Sequence, residues 1–468
     1  MQIIHISAEC YPVAKVGGLA DVVGALPKYQ NELGMKSKVI MPFYDNSFTQ
    51  NNKFKKVFAG TLQLGSDSLP FTIKSLPKKQ LGFELFLVDI PKLLHTSFVY
   101  SDDDTRRFMA FQIAVMQYML QLKKKPDIVH CHDHHTGLIP FMMSHADAYE
   151  DFRQTPSVFT IHNAQYQGWF SHDQVNLIPK FPLSKIGLLD WDNSINPLAT
   201  AIKCAWRVTT VSPSYMEELK SEANGLQSLI TSESDKCVGI LNGIDTSVWN
   251  TETDPFLVKN YSETTVLSGK KANKKWLCDE FKLNAENPLF VFIGRLVGEK
   301  GSDLFPQVFK KALQNPKLSI LLLGSGNKDT EKELLKVRKQ FPKNYNTFIG
   351  YNEALSHKMY AGADFLLMPS RVEPCGLNQM YALRYGTVPV VSKVGGLIDT
   401  VVDLNENGFG IIHTEITVTQ IVEAINRAVE FYKKDTVFRK NRKTIMKIDH
   451  SWHLSAQKYS NLYNSLKV

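Results

Sequence analysis

The pentapeptide KVGGL occurs twice in this chain, at residues 15–19 and 393–397, and this repeat constrains the fold more than any other feature. Each copy follows a hydrophobic run that reads as a strand (Ile3 to Ile6, Val388 to Val391) and precedes a helix-like stretch, with an aspartate at the same offset, Asp21 and Asp399. A glycine pair between a strand and a helix lets backbone approach a ligand, and the helix N-terminus offers free N–H groups to an anion. Two such turns imply two similar α/β lobes. Each copy is also explained as a tight strand-to-helix turn, for which glycine is needed anyway. Lys15 favours the first copy as the anion site.

Length and composition agree with two lobes. The 468 residues exceed one ordinary core, and 43% hydrophobic with 21% charged residues describes a globular chain. The net charge of +8 is spread along the sequence. Its lysine-rich runs (Lys53 to Lys56, Lys123 to Lys125, Lys270 to Lys275) carry no nucleic-acid motif and read as solvated surface. Six dispersed cysteines without a CxxC pair fit neither a disulfide framework nor a zinc site, and suit a reducing cytoplasm. No signal segment or membrane-length apolar run is evident, so neither export nor a membrane partner is expected.

Short apolar runs alternate with helix-like stretches through both halves, predicting mostly parallel, doubly wound sheets. The turn-rich segment NGIDTSVWNTETDP (Asn242 to Pro255) marks the boundary. Near the C-terminus, Trp452, Ala456, Tyr459, Leu462 and Tyr463 recur at helical spacing and make a face that must dock.

Chemistry concentrates after the predicted strands. GRLVGEKG (294–301) brings Arg295 and Lys300 to a sheet edge, where two cations suit a diphosphate, although basic loops are also plain surface. In PSRVEPCGLNQMYALRYGTVPVV (369–391), Glu373 is placed to bond sugar hydroxyls or to cap the next helix. The N–H groups of Gly376, Leu377 and Asn378 are placed to face a phosphate. Cys375 has no evident base beside it and reads as a small buried residue. In HCHDHH (130–135), His130 and His132 share one face of a strand as zinc ligands can, but no third ligand has suitable spacing. Asp133 there reads as an N-cap or a sugar-binding group. His162 and Asn163, in HNAQYQG, read as sugar contacts. The acidic triplets Asp102 to Asp104 and Asp190 to Asp192 read as solvated loop, and GSG at 324–326 lacks the third glycine of a dinucleotide fingerprint.

Taken together, KVGGLADVVGALP, HCHDHHTGL, HNAQYQG, ILNGIDTSVWNTETDP, GRLVGEKG, GYNEALSH and EPCGLNQMYALRYGTVPVV resemble the bacterial glycogen synthase and plant starch synthase family, from Met1 to SWHLSAQKYSNLY. The resemblance implies a glycosyltransferase B fold, two Rossmann-like domains facing across a deep cleft. Residues 1–244, joined by a C-terminal helix at 451–468, would form the acceptor-side domain, and 245–450 the nucleotide-sugar domain. It implies transfer of glucose from ADP-glucose to the non-reducing 4-hydroxyl of an α-1,4-glucan such as glycogen, with retention and without a metal or other cofactor. By that resemblance Lys15 contacts the donor nucleotide with Gly18 and Asp21 beside it. Arg295 and Lys300 clamp the diphosphate, Tyr351 lies by the adenine, and Glu373 holds the donor glucose within a loop completed by Cys375, Gly376, Leu377 and Asn378. Asp133, His162, Asn163 and Asn242 line the other lobe, so closure of the lobes is expected. The chain departs from the family pattern at HNAQYQG, where HNLAYQG is usual, and at Glu299, where glutamine is common. A phosphorylase would need a much longer chain, an epimerase would lack the EPCGL loop, and a glucan-binding protein would be expected to lose the clamp.

Overall fold

A computed structural model of the chain describes residues 1–102 and 104–466. It divides into two compact units: Met1–Gly243 with the segment from Trp452 onward, and Ile244–Ser451.

The strands, in chain order, are β1 (Gln2–Ile6), β2 (Lys36–Pro42), β3 (Lys55–Leu64), β4 (Asp67–Leu76), β5 (Glu84–Asp89), β6 (Ile128–His132), β7 (Ser157–Ile161), β8 (Asp190–Trp191), β9 (Ser194–Ile195), β10 (Arg207–Thr210) and β11 (Cys237–Gly239) in the first unit. The second unit holds β12 (Leu289–Ile293), β13 (Ser319–Gly324), β14 (Tyr345–Ile349), β15 (Phe365–Met368), β16 (Val388–Ser392) and β17 (Ile411–His413).

The first unit's main sheet runs β11-β10-β7-β6-β1-β2-β5-β4-β3 and is parallel except for β4, which pairs antiparallel with both β3 and β5. The β3–β4 hairpin is absent from the sequence reading. Its strands alternate half-exposed and buried residues instead of forming a continuous apolar run. The lysine run at 53–56 overlaps the start of β3 at the sheet edge, where exposed Lys55 and Lys56 discourage pairing with another strand.

The second unit's six parallel strands run β14-β13-β12-β15-β16-β17. Alternate residues bury on opposite faces: Phe290, Ile320, Phe365 and Val390 join one cluster, while Val291, Leu321, Leu366 and Val391 join the other. Such two-sided burial explains why these strands read as unbroken apolar runs. Counted from β12, the order is 3-2-1-4-5-6, whose direction reverses between β12 and β15. The equivalent reversal in the first unit lies between β1 and β6. Ligands of open α/β sheets bind beyond the strand C-termini at such switch points. KVGGL follows β1, HCHDHH spans the end of β6, and GRLVGEKG and the Glu373 loop follow β12 and β15, so each pair flanks a switch point.

The helix Trp452–Asn464 docks its apolar face on the first unit. Trp452, Ala456, Tyr459 and Tyr463 are buried with Ile3, Val22, Leu26, Tyr29 and Ile128. Burying Trp452, Tyr459 and Tyr463 there contributes roughly 1.5–3 kcal/mol per side chain.

Candidate active site

On the first unit, the glycine loop is already partnered by an internal anion. Glu9, 3% exposed, accepts hydrogen bonds from the backbone N–H groups of Val16 and Gly17 and from the Tyr100 hydroxyl. These two N–H groups, just ahead of the helix that begins at Gly18, are therefore taken up by a carboxylate within the chain. Lys15 supplies the cation instead, with its Nζ 2.7 Å from Asp21 Oδ1 on the first turn of the helix Gly18–Glu32. A Cβ at Gly17 or Gly18 would meet no heavy atom within 4 Å, so internal packing does not demand glycine at either position.

The second KVGGL copy is different. Gly395 has φ +45°, and a Cβ on Gly396 would lie 2.1 Å from the Cys375 carbonyl oxygen. The Gly396 N–H donates to the Glu373 carbonyl at 3.0 Å. This copy buttresses the Glu373 loop. Gly396→Ala is therefore expected to cost about 3 kcal/mol and to displace Glu373, whereas Gly17→Ala should leave the unfolding free energy within about 0.5 kcal/mol of wild type. Chemical denaturation of both variants checks the contrast; equal stabilities would refute it.

Asp133 follows β6 with φ +56° and ψ 175°, a backbone region confined essentially to glycine. It does not cap the short helical turn after it. Its carboxylate instead accepts from the backbone N–H of His162 at 2.7 Å, and also from that of Asn163, tying the loops after β6 and β7 together. Burial, reinforced by the charge of Glu9, pushes the Asp133 carboxyl up to about 7 despite those two donors. His162 is buried and its pKa falls to about 3, so the ring is neutral. Asn163 Oδ1 closes a turn by accepting from the Gln165 N–H at 3.0 Å. Asn242 is buried, and its Oδ1 has no hydrogen-bond partner among the described residues.

The third histidine that sequence spacing did not reveal comes from β1. His5, His130 and His132 bring ring nitrogens within 4.8 Å of one another, the spacing of a metal site. All six nitrogens are nevertheless engaged: His5 with His132 and Gln30, His130 with Tyr463 and Thr160, and His132 with His5 and His162. The cluster is a hydrogen-bonded network, and metal binding there would have to break it.

On the second unit, Lys300 Nζ lies 2.6 Å from Glu373 Oε2, which also accepts from the Ser370 hydroxyl at 2.9 Å. Glu373 is thus a buried, paired carboxylate and not the cap of the helix Asn378–Arg384. Arg295 is exposed, its guanidinium 3.6 Å from Glu299. The Glu299 carbonyl accepts from the N–H groups of Arg371 and Val372, and Arg371 pairs with Asp303, locking the two loops together. Asn378 donates its side-chain amide to the Ile293 carbonyl at 2.7 Å, so that side chain holds the loop against β12. Cys375 is buried, as read from the sequence, while Gly376 takes φ +69° and Leu377 precedes the helix without a side-chain cap. Tyr351, after β14, is 82% exposed.

Of the acidic triplets, Asp103 lies outside the described residues. Asp104 is no solvated loop: it accepts from Ser101 and pairs with buried Arg107 at the start of the helix Asp104–Leu120. Asp190 pairs with His172 at 2.7 Å. Glu9, Ser370, His5 and Gln30 escaped sequence reasoning. A lone acid in the apolar segment before the glycine loop was the available signal for Glu9.

Two Rossmann-type units, with cations and a paired carboxylate at a switch point, define a glycosyltransferase of the GT-B class. A family model described as starch synthase catalytic domain matches residues 2–232, and one described as glycosyl transferases group 1 matches 277–444. The chain is 50% identical over 467 residues to a glycogen synthase of Flavobacterium johnsoniae, covering 99% of both chains. It is 35% identical to one of Geobacillus thermodenitrificans, covering 100% of this chain and 98% of the other. Among solved structures, the catalytic domain of starch synthase IV from Arabidopsis thaliana, bound to ADP and acarbose, matches with a TM-score of 0.90 at 32% identity over 99% of both chains. The chain belongs to the glycogen synthase family.

Proposed function

We propose that the protein elongates an α-1,4-glucan by transferring glucose from ADP-glucose to the non-reducing 4-hydroxyl, with retention at the anomeric carbon. The observation that carries the donor assignment is the Lys300–Glu373 pair beside exposed Arg295 at the second unit's switch point. The ADP bound by the Arabidopsis relative supports adenine as the base, and its acarbose supports a glucan acceptor. As the bond from C1 to the diphosphate breaks, the acceptor's 4-oxygen bonds C1 and its proton leaves with the diphosphate. Charge then grows on the leaving group, where Arg295 and Lys300 lower the barrier. Glu373, relieved of part of its pairing with Lys300, holds glucose hydroxyls, and Tyr351 offers its ring to the adenine. On the first unit we assign substrate contacts to Lys15, Gly18, Asp21, Asp133, His162, Asn163 and Asn242, and on the second Cys375, Gly376, Leu377 and Asn378 shape the loop around the phosphate.

No metal enters this scheme, because the cations that meet the diphosphate are side chains. Among the described residues no helix is long and apolar enough to cross a membrane. The six cysteines are unpaired, and we place the enzyme in the cytoplasm. Incorporation of labelled glucose into glycogen is expected from ADP-glucose in preference to UDP-glucose, with the same rate in EDTA. Strict dependence on added divalent ion, or preference for UDP-glucose, would overturn the corresponding half of the proposal.

A further inference from the structure

His162 is the visible end of a buried file of polar side chains. Its Nε2 lies 3.0 Å from His132 Nδ1, His132 Nε2 lies 3.0 Å from His5 Nδ1, and His5 Nε2 lies 2.8 Å from Gln30 Oε1. Gln30, His5 and His132 are completely buried. Burial holds His5 down at about 4 and His132 well below the ordinary histidine range, so each ring carries one proton. A neutral imidazole donates from one nitrogen and accepts at the other, so the direction of every bond in the file is set at its far end.

That end is Gln30. Its Oε1 accepts from the Ser37 hydroxyl, and its Nε2 donates to the Tyr463 hydroxyl at 3.1 Å. With Oε1 toward His5, His5 must donate from Nε2 and accept at Nδ1. His132 then donates from Nε2, and His162 donates from Nε2 in turn. The remaining nitrogen, His162 Nδ1, is left unprotonated and has no hydrogen-bond partner among the described residues. The side branch agrees: Tyr463 donates to His130 Nδ1, and His130 Nε2 donates to Thr160, which donates to Thr209. Both branches thus take their direction from the same amide.

We propose that Gln30, acting through His5 and His132, is a positioning residue that fixes the ring tautomer of His162, so that Nδ1 is presented to a sugar hydroxyl as an acceptor. This rests on the reading of His162 as a sugar-contacting group. Reversing the Gln30 amide would reverse every bond in the file and turn Nδ1 into a donor, so specificity for a hydroxyl proton is set two histidines away from the ligand.

The test is long-range proton–nitrogen NMR of the full chain labelled with 15N-histidine, with His162 assigned by its loss in His162→Gln. In the wild type, His162 Nδ1 should show the shift of an unprotonated ring nitrogen and Nε2 that of a protonated one. In Gln30→Met, which keeps the volume and removes the amide, the two shifts should move toward each other. The accompanying kcat should fall about tenfold, the worth of one misdirected hydrogen bond, with donor KM within about twofold. Tyr463→Phe, which removes only the hydroxyl that accepts from the amide, should move both readouts in the same direction and keeps the test alive if Gln30→Met does not fold. A protonated Nδ1 in the wild type, or unchanged His162 shifts in the variants, would overturn the inference. Full activity of His162→Ala would instead overturn the reading of His162 itself, whatever the spectra show.

Discussion

Replacing Lys300 or Arg295 with alanine is expected to lower kcat by an amount equivalent to about 2–4 kcal/mol, because each removes a fixed cation from charge that develops on the departing diphosphate. The two variants should differ in stability. Arg295 is 60% exposed in its side chain, and its loss should leave unfolding unchanged. Lys300 is the partner of a carboxylate with 9% side-chain exposure, which would retain only the Ser370 hydroxyl. Lys300→Ala should therefore also lose about 1–3 kcal/mol of stability. Steady-state kinetics with ADP-glucose, paired with urea denaturation, separates these effects. A raised KM at full kcat would show that the cation binds donor and transition state equally.

Asp133→Asn should gain stability while losing activity. The folded pKa of about 7 is above the unfolded value of 3.8, so the folded chain binds the proton more tightly. The group's favourable contribution is therefore complete below about pH 4, declines as pH rises, and is gone above about 7. At pH 8 the neutral amide should be about 2–4 kcal/mol more stable than wild type, and the gain should vanish near pH 4. Activity should move the other way. In the site proposed above, the Asp133 carboxylate favours positive character at the anomeric carbon, so wild-type kcat should rise with pH through about 7. The amide variant should lose that limb and roughly 100-fold in rate. A denaturation series from pH 4 to 8 and a pH–rate profile check both halves. A wild-type profile flat through neutrality would sink the ionisation assignment.

What the sequence disclosed follows from the kind of constraint involved. Strands buried on both faces, such as Leu289–Ile293 and Val388–Ser392, write themselves as apolar runs and are legible. The β3–β4 hairpin, alternating and half exposed, is not. Loops after strands announced Arg295, Lys300, Glu373, Asp133 and His162 because motifs there are local. The state of those residues depends on distant partners. Glu9 closing the first glycine loop, Cys375 packed beneath Gly396, and His5 reaching His132 join positions that no local spacing relates. The repeated pentapeptide shows the limit most clearly, since identical letters hold a cation over open space in one unit and brace a neighbouring loop in the other.

The helix Trp452–Asn464 has a consequence for the order in which the protein can mature. It completes the interior of the unit that begins at Met1, and its Tyr463 hydroxyl joins Gln30 to His130. All of Ile244–Ser451 must be synthesised before that piece exists. The second unit has every strand it needs while still being made, whereas the first waits with a patch around Ile3, Leu26 and Tyr29 uncovered until the end. The part translated first is therefore finished last. Nascent chains stalled before Trp452 should be cut readily by protease in the first unit and resist it in the second.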